Sequence, residues 1–133
     1  MNFRKERSLL LSVMLIALLA ISGCGFGRGK KLEYNGGELY YTSSVTKAEA
    51  ERLGRYLAKG FFDGNRKTVQ LTKTGNTYEF RMVVKKGIET DPEYIEAAKA
   101  FAGEMSEEVF NGSPVDIHLC DDRLKTLRVV VEL

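Results

Sequence analysis

The chain is poor in the side chains that most often carry chemistry. Its 133 residues include one histidine, His118, and two cysteines, Cys24 and Cys120. A structural zinc site takes four ligands, most often cysteine and histidine. Here carboxylates or a second molecule would have to complete one. No nucleophile elbow, phosphate loop or dinucleotide fingerprint is present. The glycines at 25, 27 and 29 precede no helix, so they do not cradle a phosphate. The apolar run from Leu9 to Ile21, broken by Ser12, is short of the roughly 20 residues that a spanning helix needs.

That run has another use. Arg4, Lys5 and Arg7 precede it, and a basic start followed by an apolar stretch of about 7–15 residues is the pattern of a secretory signal. It ends at Ile21-Ser22-Gly23-Cys24. An aliphatic residue, two small residues and a cysteine resemble the lipobox of bacterial lipoproteins, a resemblance confined to residues 1–24. It implies that Cys24 takes a diacylglycerol through its thiol and that cleavage removes residues 1–23. The new amino terminus then becomes a site for a further fatty acyl group such as palmitate. Two or more acyl chains hold firmly, at about 0.8 kcal/mol per buried methylene. The address implied is extracytoplasmic, on the cell membrane or an outer membrane. Gly25 replaces the acidic residue that retains many such lipoproteins at an inner membrane, which leans toward the outer one.

Removal of residues 1–23 takes three basic residues and one acid from totals of 20 and 18, leaving 17 of each in 110 residues. A neutral chain of that size fits one domain and gives no electrostatic case for nucleic acid. With Cys24 lipidated, Cys120 has no partner for an internal disulfide. Residues 24–31, with three glycines and three cations after the cysteine, read as a flexible basic tether that can rest on anionic headgroups. Residues 32–133 then form the domain.

Within it Asn35-Gly36-Gly37 marks a turn and Glu38 to Thr42 a short strand. Thr46 with Glu49 has the form of a capping box. Ala50, Leu53, Leu57 and Phe61 follow the helical period, and Asp63-Gly64-Asn65 stops them. Thr68 to Lys73 and Tyr78 to Val84 alternate around Thr74-Gly75-Asn76 as a hairpin. Asp91 and Pro92 open a second helix, striped by Ile95, Ala98, Phe101, Ala102, Met105 and Val109 and closed by Asn111-Gly112. Strands from Val115 to Cys120 and from Leu124 to Val131 complete the chain.

The order contains itself twice. Ala50 and Leu53 lie over Ala98 and Phe101, Phe62-Asp63-Gly64 over Phe110-Asn111-Gly112, and Val69-Gln70-Leu71 over Ile117-His118-Leu119. After a one-residue gap, Phe80 to Val84 lies over Leu127 to Val131, pairing Arg81 with Arg128. Two helix–hairpin halves predict an α+β two-layer sandwich, a mostly antiparallel sheet with both helices on one face. Its β-α-β-β-α-β-β order resembles a ferredoxin-like core with an added strand, which implies no function.

Alternation sends Val69, Leu71, Phe80, Met82, Ile117, Leu119 and Leu127 toward the helices. Gln70, Thr72, Glu79, Arg81, His118, Cys120 and Arg128 then share the open face. Gln70, Arg81, His118 and Arg128 are the candidate binding residues, for a protein segment or a small anionic ligand. No metal, cofactor or catalytic set is expected. A thiol- or metal-dependent envelope enzyme would centre on His118 and Cys120. However, side chains two apart on a strand stand about 7 Å apart at the backbone, poorly placed for direct proton transfer. The expectation is a lipid-anchored, non-enzymatic binding module of the cell envelope, with a purely structural envelope role as a third reading.

Overall fold

The computed structural model describes residues 27–131; Cys24 and the expected signal lie outside them. Six strands form one mixed sheet in the order β1-β2-β3-β4-β5-β6: β1 (Lys30–Tyr34), β2 (Gly37–Tyr41), β3 (Thr68–Thr74), β4 (Thr77–Val83), β5 (Val115–Cys120) and β6 (Thr126–Val131). Helix α1 (Lys47–Leu57) joins β2 to β3, and α2 (Pro92–Glu108) joins β4 to β5 after a short 3-10 turn, Ile88–Thr90. The α+β class holds. The order gains a strand at its start, and Lys30 and Lys31, expected in the tether, pair with Tyr41 and Tyr40 in β1.

Local chemistry explains most boundaries. Thr46 Oγ1 accepts from the Glu49 amide at 3.2 Å, starting α1. Asp91 caps α2 by accepting from the Glu93 amide at 3.0 Å, with Pro92 in the first turn. Asn35 and Gly36 have φ of 44° and 82°, the paired positive values of a type I′ turn, and close the β1–β2 hairpin. Between β3 and β4 the positive φ falls on Gly75.

Both helices cover one face. Tyr56 on α1 meets the Phe101 ring of α2 edge-on at 6.2 Å, and Phe101 stacks on Phe80 at 5.8 Å. Leu39, Leu53, Leu57, Phe62, Phe80, Met105 and Ile117 are almost fully buried in this layer. Two aromatic rings fit only because a glycine faces them. A β-carbon on Gly37 would overlap the Phe62 ring, and one on Gly54 would overlap Tyr34.

The connectivity departs from the ferredoxin-like expectation. That core interleaves its strands, whereas here every strand neighbours the next in sequence. The sheet is mixed with antiparallel joints in the majority, as expected: the three hairpins are antiparallel, and β2–β3 and β4–β5 are parallel. Strands β2 and β3 run opposite to β4 and β5. Both crossovers nonetheless step the same way across the sheet with their helix on the same face. The two crossovers therefore have opposite hands, and one breaks the right-handed rule that holds in about 98% of cases. Two units of opposite hand cannot be superposed by rotation, so the halves share sequence spacing but are not a rotational repeat.

The edge strand β6 corrects two further expectations. Leu119 pairs with Arg128 and Cys120 with Thr126, so Leu127 is an extra, bulged residue. One extra residue reverses the faces of all later positions on the strand. Leu127 is 44% exposed rather than in the core, and Val130, opposite Ile117, is buried. The second halves of the repeat thus align without the gap: Met82, opposite Val69, answers to Val130, and Arg128 answers to Phe80 rather than Arg81. Arg128 points to the helix side, where its Nη1 donates to the Glu89 carbonyl at 3.5 Å.

Candidate functional site

The face opposite the helices carries a polar system built from four strands and two flanking segments. Gln70, in the centre of β3, sits between Tyr40 and Arg81. Its side chain is nearly buried, and its Nε2 donates to the carbonyls of Gly27 at 3.2 Å and Arg28 at 2.9 Å. Gln70 is thus a clamp that holds the segment before β1 against the sheet. Gly29, with φ of 86°, makes the bend from this segment into β1, and a side chain there would run into the Tyr41 carbonyl. The clamped Arg28 lies over the Tyr40 ring, 5.6 Å from its centroid, and its Nη2 donates to the Asp122 carbonyl at 3.2 Å.

The β5–β6 turn closes over the other side. The Asp121 Oδ1 accepts from the amides of Arg123 and Lys125, each at 2.9 Å. Leu124 is forced to a φ of 62°, an unusual value for a branched residue and one that costs on the order of 1–3 kcal/mol. Two contacts offset it: the Leu124 side chain is buried, and its carbonyl accepts from Arg81 Nη1 at 3.3 Å. The turn thereby presents Arg123 beside Arg81.

Between these segments lies an open depression of about 520 Å³. Arg28, Arg81 and Arg123 line it, with Gln70, Thr42 and Thr72 on the floor and one wall. Among the described residues, none of those lining it is a carboxylate. Thr42, Thr72 and Ser44 link hydroxyls at 2.8–3.0 Å, so the wall offers O–H groups beside the guanidinium groups. Glu79 Oε2 lies 3.5 Å from Arg81 Nη2 and partly neutralises that one cation.

Behind Arg81 the expected His118 and Cys120 are tied into the sheet. Thr126 Oγ1 accepts from Arg81 Nη1 at 3.0 Å and stands 2.9 Å from His118 Nδ1. The other ring nitrogen, Nε2, lies 3.9 Å from Glu79 Oε2. Burial, helped by Arg81, lowers the His118 pKa from its ordinary value, against the opposing pull of Glu79 and Asp116. Cys120 is fully buried, its Sγ directed at the His118 carbonyl at 3.4 Å, and burial pushes its thiol pKa up. A raised pKa and an inaccessible sulfur do not make a nucleophile. Among the described residues no three His, Cys, Asp or Glu side chains are grouped to hold a metal ion.

Of the four expected binding residues, the structure brings Arg81, Gln70 and His118 to one face and puts Arg128 on the other. Arg28 and Arg123 belong to the site, and pattern reading assigned them to a tether and a turn. The only sequence signal for Arg123 is Asp121, two residues ahead, a residue type that bonds its own backbone in turns.

No solved structure matches the chain. A protein of Archaeoglobus fulgidus described as uncharacterised is 32% identical over 111 residues, which cover 80% of this chain and 46% of that protein. The chain thus spans about half the length of this relative. Residues 31–132, which hold all six strands except the first residue of β1, match the AF_1994_N family N-terminal domain, and the chain belongs to that family.

Proposed function

We propose that the protein is a lipid-anchored, non-enzymatic binding module of the cell envelope, tethered through acyl groups on Cys24, whose open-face depression holds a small anion. The observation that carries the second half is the grouping of Arg28, Arg81 and Arg123 around one depression, with no carboxylate among the described residues that line it. Guanidinium groups fit phosphate and carboxylate oxygens in bidentate pairs and are never deprotonated. The hydroxyls of Thr42 and Thr72 supply further donors. The resemblance of residues 21–24 to a lipobox supports the anchor. Nothing in the placement of His118 and Cys120 favours the thiol or metal chemistry.

The test is titration of the full chain in detergent with inorganic phosphate and with sulfate, read as a melting shift. A saturable rise in Tm is expected. Arg123→Gln removes one charge-assisted contact, worth about 1.5–3 kcal/mol, and weakens binding about 10- to 150-fold. Arg128→Gln, on the opposite face, leaves affinity unchanged. Absence of any anion-dependent shift refutes the site.

A further inference from the structure

The position of the depression on the chain narrows its ligand. Its rim is formed by Gly27 and Arg28, the residues that Gln70 clamps to the sheet. Gly27 is three positions after Cys24. Three residues, however extended, reach at most about 11 Å. The polar headgroup layer of one leaflet is about 5–7 Å deep, the difference between a bilayer's full and hydrocarbon thickness shared between two sides. A lipid on Cys24 that enters the hydrocarbon therefore keeps the rim of the depression within about 11 Å of the anchored residue, in the headgroup layer or just above it. The clamp fixes this rim relative to Arg81 and Arg123, so the tether delivers those cations and does not merely leave them near the surface. The leash leaves from Gly27 and Arg28 on the open face, the side of the sheet away from the two helices.

We infer that the anion bound in the depression is the phosphate of a lipid headgroup in the leaflet that holds the anchor. Arg28, Arg81 and Arg123 grip its oxygens, and Thr42 and Thr72 hold the remainder. The protein is thereby pinned at two points, an acyl anchor and a headgroup, which sets its orientation. This inference rests on the proposed anchor and anion site, and its test separates their failures from its own.

The full lipidated chain is placed in phosphatidylglycerol vesicles and, separately, in detergent with or without inorganic phosphate. Arginines are then modified with phenylglyoxal and counted by mass spectrometry, with Arg128 as the internal control on the other face. A second protein carries a rigid helical spacer about 30 Å long between Cys24 and Gly25. The expected result is protection of Arg28, Arg81 and Arg123 in vesicles, lost in the spacer protein, with phosphate in detergent protecting both proteins alike. Protection by phosphate in detergent without protection in vesicles overturns the headgroup assignment and leaves the anion site standing, with a free anion as its ligand. Equal protection of the spacer protein in vesicles overturns delivery of the site to the headgroup by the short tether. No protection under any condition removes the anion site itself, and an unmodified Cys24 in the same spectra removes the anchor.

Discussion

Gln70→Leu tests whether the segment before β1 is a clamped strap or a loose tether. The substitution keeps the bulk of a side chain that is only 6% exposed and removes both bonds to the Gly27 and Arg28 carbonyls. Each such bond contributes about 0.5–1.5 kcal/mol net, so the strap loses about 1–3 kcal/mol against opening. At about 1.4 kcal/mol per tenfold, the open population rises about 5- to 150-fold. The released carbonyls are near solvent and can turn to water, so the loss falls on local opening and not on the whole fold. Leucine in the centre of a sheet is no worse a strand residue than glutamine.

Trypsin provides the assay, because Arg28 is itself a cleavage residue and Gly29 comes next in the chain. When opening is fast relative to cutting, the native-state cleavage rate tracks the open population. The variant is expected to be cut after Arg28 faster by the factor above, with a nearly unchanged Tm. Phosphate affinity falls as well, since Arg28 loses its fixed place. A cleavage rate within twofold of wild type would refute the clamp. A large drop in Tm with global cleavage would instead make Gln70 a core residue.

Other expectations test the packing and the buried titratable pair. Gly37→Ala alone overpacks the core against Phe62, at about 1–3 kcal/mol, and Phe62→Ala alone costs about 3–5 kcal/mol. Once the ring is gone there is nothing to strike, so urea melts of the double variant should show at least about 1 kcal/mol less destabilisation than the two costs added. Additivity would mean that the ring does not occupy that space. His118 is held neutral by burial and by Arg81, whereas the unfolded ring titrates near 6.5. Below that value the unfolded chain binds the extra proton first, so stability falls as pH drops, by at most about 1.4 kcal/mol per pH unit, and levels off once the folded ring also protonates. The Cys120 thiol stays protonated in the fold above its ordinary value of 9.0, so stability also falls as pH rises past that value. Thermal melts across this range should lose the acid shoulder in His118→Gln and the alkaline one in Cys120→Ala. A His118→Gln curve parallel to wild type in acid would contradict a buried neutral ring.

What the sequence made legible was local. Thr46 and Asp91-Pro92 announced both helices because capping is decided within one turn. The β3–β4 hairpin was legible because Tyr78 to Val84 alternates around a glycine turn. Strand β1 was not, since Lys30-Lys31-Leu32-Glu33-Tyr34 alternates with charges on its outer side, the composition by which an edge strand discourages further pairing. Arg128 was misplaced by one bulged residue, Leu127, and a bulge leaves no mark in composition. Arg28 and Arg123 depend on contacts made at a distance, the Gln70 clamp and the left-handed Leu124, which no window of neighbouring residues contains.

The unusual hand of one crossover bears directly on the site. Had both connections followed the right-handed rule in this strand order, the helices would lie on opposite sides of the sheet. One of them would then cover Gln70, Arg81 and His118, and the depression could not exist. The sheet would need apolar residues on both faces, yet Tyr40, Thr72, Glu79 and Arg81 alternate with buried neighbours on β2, β3 and β4. The polar alternation and the exceptional hand are therefore two expressions of one constraint. A single apolar face must collect both helices, and the face left bare is the one on which Gly27 and Arg28 lie.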